Sequence, residues 1–208
     1  MKRVVAKLGG SLLDLPDWPE RFLQWLAAQG PVQCLVVVGC GSWGDEVRRW
    51  DEHHALGDAF CHQLCARLLS LTAEAAGRVL SQRRDLPYRV VRVESIEAAR
   101  ALADQGDSAR PRSLLLVLDA GVFLTRGASD STQPFPENWS VTSDSIAAEA
   151  ARCWQAEELA LLKSRPPVDS LNWNDAAEQG LVDREFPRRI ADLRSVTWTN
   201  LRASEGSR

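Results

Sequence analysis

Gln33-Cys34-Leu35-Val36-Val37-Val38-Gly39-Cys40-Gly41-Ser42-Trp43-Gly44-Asp45 is the stretch that decides the fold. Its first six residues form a short apolar run rich in valine, as expected of a strand buried on both faces. The glycines let the chain turn tightly into a helix expected at Trp43–Trp50. Ser113–Leu118 repeats the same apolar pattern. Outward from these two runs, further strands are expected at Arg3–Leu8, Tyr88–Val93, Glu158–Leu162 and Ser195–Asn200. Helices are expected between them, at Trp18–Ala28, Asp58–Gln82, Ile96–Gln105, Ser143–Trp154 and Asn174–Gln179. In the longest, Phe60, Leu64, Leu68, Leu71 and Ala75 recur at steps of three and four and form one apolar stripe. Such alternation predicts an α/β fold, a three-layer sandwich with helices on both faces of a mainly parallel sheet. Arg126–Trp139, with Gly127, Pro134 and Pro136, reads as a long surface loop.

The 208 residues, 45% of them hydrophobic, suffice for one large domain with a sizeable core. A formal net charge of -3 and the absence of any basic tract exclude nucleic acid as a main partner. No segment approaches the roughly 20 apolar residues of a membrane helix. The opening run Met1-Lys2-Arg3-Val4-Val5-Ala6-Lys7 is broken by charge, so it reads as a strand and not a signal peptide. Cys34, Cys40, Cys61, Cys65 and Cys153 are odd in number and without framework spacing, so they are expected to be reduced thiols in a cytoplasmic protein. Cys61, His62 and Cys65 offer too few partners for a metal site, and no metal ligands are assigned.

The chemistry collects at strand ends. Of 25 basic residues, 22 are arginine and three are lysine, namely Lys2, Lys7 and Lys163. Lys7 and Lys163 each close a predicted strand, where active sites of open α/β sheets gather. Lysine is a compact point charge suited to a moving phosphoryl group, whereas arginine holds a fixed fork. After the first strand, Gly9-Gly10-Ser11 can bring backbone N–H groups to an anion, or can simply turn the chain. After the second, Gly39–Gly44 also fits a dinucleotide fingerprint, with Asp58 at ribose distance. Arg48 and Arg49 follow one turn into the helix, where a guanidinium can fork onto an acceptor or remain solvated. Thr142 or Ser143 is suited to capping the helix that Asp144 then enters. Asp144 also reads as an acid that orients both lysines. Trp43 and Trp139 adjoin these motifs as candidate walls of an acceptor pocket.

Taken in order, Lys7-Leu8-Gly9-Gly10-Ser11, the second glycine loop, Val141-Thr142-Ser143-Asp144-Ser145 and Leu161-Leu162-Lys163-Ser164 resemble the amino acid kinase family, from the first strand to about Phe186. Trp139, Lys163-Ser164 and Gly180-Leu181-Val182-Asp183 with Phe186 are similar to its aminomethyl-furanmethanol-phosphate kinase branch, which serves methanofuran-type one-carbon cofactor synthesis. The resemblance implies an ATP- and Mg2+-dependent kinase with a small anionic acceptor and a homo-oligomeric state. It implies an acceptor-binding half at about 1–125 and a nucleotide-binding half at about 126–208 of a single domain. It implies catalytic roles for Lys7, Asp144 and Lys163. Nucleotide binding would fall to Lys7, Gly9, Gly10, Ser11, Lys163 and Ser164. Acceptor binding would fall to Gly39, Cys40, Gly41, Arg48, Trp139, Thr142 and Ser143.

Two departures stand out. Cys40 replaces the middle glycine of the family's second loop, and Ser164-Arg165-Pro166-Pro167-Val168-Asp169 lacks the glycine turn that often follows Lys163. They leave open a non-catalytic anion- or nucleotide-binding member of the same fold; a second alternative, a Rossmann-type NAD oxidoreductase, rests on the Gly39–Gly44 fingerprint.

Overall fold

The computed structural model describes residues 1–83, 88–104, 113–126, 134–167 and 172–203. Gln105, residues 127–133 of the expected loop, and Val168 and Asp169 lie outside the described residues. Six strands are described: β1 Lys2–Leu8, β2 Val32–Val38, β3 Tyr88–Val93, β4 Ser113–Leu118, β5 Glu158–Lys163 and β6 Val196–Asn200. They form one sheet in the order β3-β4-β2-β1-β5-β6. Every pairing is parallel, where the sequence suggested only a mainly parallel sheet. The chain leaves β1 toward β2 on one side and later sets β5 on the other. The carboxyl ends of β1 and β5 therefore flank a topological switch point, the usual ligand crevice of such sheets.

Helices α1 Trp18–Ala28, α2 Ser42–His54, α3 Asp58–Ser81, α4 Ile96–Asp104, α5 Ala120–Arg126, α6 Ser143–Trp154, α7 Trp173–Glu178 and α8 Phe186–Arg189 flank the sheet. Among them α5 and α8 were not expected from the sequence. Asp119, which accepts the Val122 N–H at 3.0 Å, caps α5 directly after β4 and is the signal that identifies it. A single turn such as α8 is too short to show a period.

Side chains alternate across each strand. Val5, Leu35, Val37, Leu116, Leu159 and Leu161 face the layer that contains Ile146, Ala147 and Ala150 of α6. Val4, Ala6, Leu8, Val36, Ala160 and Leu162 face Phe22 and Leu26 of α1. By this alternation Lys7 shares a face with Val5, and Lys163 with Leu161, so both lysines project toward α6. The face is set before any ligand is considered.

Helix α3 corrects the expected stripe. Phe60 and Leu71 are 50% and 49% exposed, and Ala75 is exposed as well. The buried face is instead Cys61, Ala66, Leu69, Ala73, Ala76 and Leu80. Small residues win here because neighbouring backbone comes so close: a Cβ on Gly121 of α5 would lie 1.9 Å from the Ala66 carbonyl oxygen.

Candidate active site

Lys7, at the end of β1, is only 5% exposed. Its Nζ lies 2.8 Å from Oδ1 of Asp144, in the first turn of α6. The other oxygen of Asp144 accepts a 2.7 Å hydrogen bond from Lys163 Nζ at the end of β5. One buried carboxylate thus holds two ammonium groups from adjacent strands. Burial raises the pKa of Asp144, but Lys7 and Lys163 outweigh it and hold the carboxyl below its ordinary value. Burial, with Lys7 beside it, pushes Lys163 down to about 8 against the pull of Asp144.

The two lysines are held differently. Lys163 also donates to the Leu181 carbonyl at 3.0 Å and lies 5.4 Å from the centre of the Trp198 ring. Lys7 meets Asp144 obliquely, leaving Oδ1 without an aligned hydrogen bond. Its protons remain available toward the cleft that it lines.

The glycine turns close over this pair. Gly9 N donates to the Leu162 carbonyl at 2.8 Å, and Gly39 N to the Leu8 carbonyl at 3.0 Å, so each turn continues the ladder by one rung. Beyond that rung the turns touch. A Cβ on Gly10 would lie 1.9 Å from the Gly41 nitrogen, and Gly41 itself has φ 62°, so both positions require glycine. The N–H groups of Gly10, Ser11, Cys40 and Gly41 have no hydrogen-bond acceptor among the described residues. On the β5 side, the Ser11 and Ser164 hydroxyls are 2.9 Å apart.

A cleft of about 200 Å³ opens beside Lys7, Gly10, Gly39, Cys40 and Gly41. Pockets for drug-sized ligands run to ~300–1,000 Å³, so this one suits a small molecule. Thr142, Ser143, Trp139 and Arg48 line it too. The Trp139 indole donates to Asp51 at 2.9 Å, and Asp51 in turn accepts the Gly57 N–H at 2.9 Å. Arg48 stacks over the Trp139 ring at 4.9 Å and has no carboxylate partner among the described residues. Arg49 is not part of the cleft; it pairs with Glu46 on the exposed side of α2. Trp43 also falls outside, 47% exposed beside a separate cavity between α1 and α3. Asp45, Asp58, His62 and Cys65 also line the cleft; the sequence offers Asp58 only as a ribose contact and His62 and Cys65 only in a metal site with too few partners, and it assigns Asp45 no role. Burial lowers the pKa of His62, against an opposing pull from Glu137.

Cys40 fits without disturbing the glycine contact. Its thiol leans on α3, 3.7 Å from the Cys65 carbonyl. Burial, with Cys65 beside it, pushes its pKa up to about 12, which disfavours the reactive thiolate. All five cysteines are free.

The all-parallel sheet brings both buried lysines and, among the described residues, the unpartnered N–H groups to one carboxyl edge, an arrangement suited to phosphate groups. The family model for the amino acid kinase family matches residues 2–172, and the chain belongs to that family. This membership replaces the dinucleotide-binding alternative for the Gly39–Gly44 loop. Similar solved structures include UMP kinase from Bacillus anthracis, 16% identical with TM-score 0.63, covering 98% of this chain and 89% of that one. UMP kinase from Ureaplasma parvum is 12% identical with TM-score 0.63, covering 96% and 89%. Uridylate kinase from Archaeoglobus fulgidus is 18% identical with TM-score 0.59, covering 97% and 92%. No curated protein matches the chain significantly. Among the described residues, no helix is long and apolar enough to cross a membrane.

Proposed function

We propose that the chain is a cytoplasmic, ATP-dependent small-molecule kinase whose acceptor is a phosphate ester or a carboxylate. The observation that carries this reading is the pair of buried ammonium groups on Asp144, beside backbone N–H groups that have no other partner among the described residues. The donor set fits polyphosphate. Lys7, Lys163 and the Gly10 and Ser11 N–H groups would hold the nucleotide phosphates, with Ser164 beside them. Asp144 is engaged by two lysines, and among the described residues no cluster of three or more His, Cys, Asp or Glu is placed to hold a metal. Mg2+ would therefore arrive on the phosphates of the nucleotide.

ATP-Mg2+ supplies the γ-phosphoryl group. Phosphoryl transfer through a loose transition state depends on alignment and charge neutralisation. Lys7 neutralises charge on the transferring group from the cleft side, while Lys163 does so from the β5 side. Asp144 keeps both ammoniums aimed at one place. Cys40 and Gly41 present N–H groups to the acceptor beside Gly39, whose own N–H is held by Leu8, with Thr142 and Ser143 opposite. Arg48, held over the Trp139 ring, receives the far anionic end. A carboxylate or phosphate acceptor needs no general base.

The acceptor half is proposed at about 1–125 and the nucleotide half at about 126–208 of one domain, with residues 138–146 crossing back to wall the acceptor cleft. Exposed Trp43, Trp50, Phe60 and Leu71 on α2 and α3 support a homo-oligomer. The Trp139 and Lys163-Ser164 pattern supports a methanofuran-type acceptor. ATP turnover against a panel of small phosphates and carboxylates, UMP included, tests the proposal. Transfer to one anionic class is expected. Tight ATP binding with no transfer to any acceptor would instead favour the non-catalytic reading.

A further inference from the structure

Asp183, between α7 and α8, is 7% exposed and far from β1 in sequence. Its Oδ2 accepts hydrogen bonds from Thr142 N at 2.9 Å, Thr142 Oγ1 at 2.8 Å and Ser145 N at 3.0 Å. Its Oδ1 accepts the Ser145 hydroxyl. These donors flank Asp144 on both sides. The first N–H groups of a helix have no partner within it and need caps. The local cap is weak here, because the Thr142 hydroxyl reaches Asp144 N only at 3.4 Å and gives its own proton to Asp183. The carboxylate of Asp183 thus caps α6 from outside, where the helix dipole also favours a negative charge.

The same segment reaches the second lysine. Gly180, at φ 68°, turns the chain after α7, Leu181 N anchors on the Ala176 carbonyl at 2.8 Å, and the Leu181 carbonyl takes its proton from Lys163. Burial and the neighbouring Asp144 raise the pKa of Asp183, so keeping a charge there is costly, and its hydrogen-bond donors offset the cost. A plain serine or threonine cap would complete the helix more cheaply.

We propose that Asp183 is a positioning residue for phosphoryl transfer: it clamps Thr142 and Ser145 and so fixes the Asp144 carboxylate between Lys7 and Lys163. The inference rests on the kinase reading above. It assigns Asp183 no contact with substrate.

Asparagine and alanine separate the clamp from its charge. An asparagine oxygen can take the three Oδ2 contacts while its amide donates to the Ser145 hydroxyl, so Asp183→Asn keeps the geometry. Asp183→Ala removes it. Asp183→Ala is expected to lower kcat about 100-fold, the scale of a misplaced reacting group, with KM for ATP within about 3-fold. Asp183→Asn is expected to recover most of that loss. Ser145→Ala removes one donor and is expected to cost about 5-fold, as for one hydrogen bond; it decides the matter if Asp183→Ala does not fold.

A second readout needs no turnover. The chain has three lysines, so selective 13Cε labelling gives three NMR signals. Those of Lys7 and Lys163 are expected to move in Asp183→Ala and to stay in Asp183→Asn. Wild-type kcat in Asp183→Ala, or equal damage from Asn and Ala, would overturn the clamp. If the wild type phosphorylates nothing, the kinase reading fails by itself, and unmoved lysine signals in Asp183→Ala would then overturn the clamp separately.

Discussion

The ends of β1 and β5 carry the same residue type on the same face of the sheet, yet the two ammonium groups are built in differently. Lys163 is fastened by Asp144, the Leu181 carbonyl and the Trp198 ring. Among the described residues, the polar contact of Lys7 is the oblique one with Asp144, and it faces the cleft. An ammonium with two of its three donors already engaged behaves as part of the framework as well as a charge. An ammonium with unspent donors can follow a phosphoryl group as it moves. The contrast assigns anchoring to the β5 side and transfer to the β1 side.

The largest effect is expected where the two ends meet. Asp144→Ala leaves two buried ammonium groups without their shared partner, and breaking a buried pair in this way costs about 3–5 kcal/mol. Thermal denaturation should show a markedly lower Tm, and turnover should vanish. Next come the lysines singly. Lys7→Ala should raise the barrier by about 3–4 kcal/mol, typical of a lost electrostatic donor, with Tm close to wild type. Lys163→Ala should lower turnover and Tm together, since the Leu181 carbonyl loses its proton donor. Equal Tm values for the two variants would break the comparison.

A smaller effect is expected from pH. Lys163 must be charged to neutralise phosphate, and burial, with Lys7 beside it, pushes its pKa down to about 8. Its ammonium is present below that pH and lost above it, and kcat/KM reports free-enzyme ionisations. A pH profile of kcat/KM should therefore fall as pH rises through 8. The smallest effect should be at the cleft mouth. Arg48→Ala should raise KM for the acceptor about 10-fold with kcat nearly unchanged, as for lost uniform binding. Arg49→Ala, on the other side of α2, should change neither.

The sequence and the structure agree best where side-chain period and turn chemistry act locally. Valine-rich β2, the glycines after β1 and β2, and the Thr142 cap are all local signals. The strand ends of Lys7 and Lys163 were legible for the same reason. The stripe on α3 was misread because its buried face uses Ala66, Ala73 and Ala76, whose small side chains carry little hydrophobic signal, while Phe60 and Leu71 stand outward. His62 and Asp58 reach the cleft through the packing of α3 against α2, which no spacing encodes. Asp183 was visible only as part of a motif. Its hold on Thr142 and Ser145 joins segments about forty residues apart.

Lysine NMR during titration with Mg2+ and a non-hydrolysable ATP analogue tests most directly whether two strand ends act on one polyphosphate. With 13Cε label in the three lysines, the Lys7 and Lys163 signals are expected to shift together and saturate at one ligand concentration, while Lys2 stays still. Binding that leaves either of the two buried signals unmoved would contradict a shared phosphoryl site.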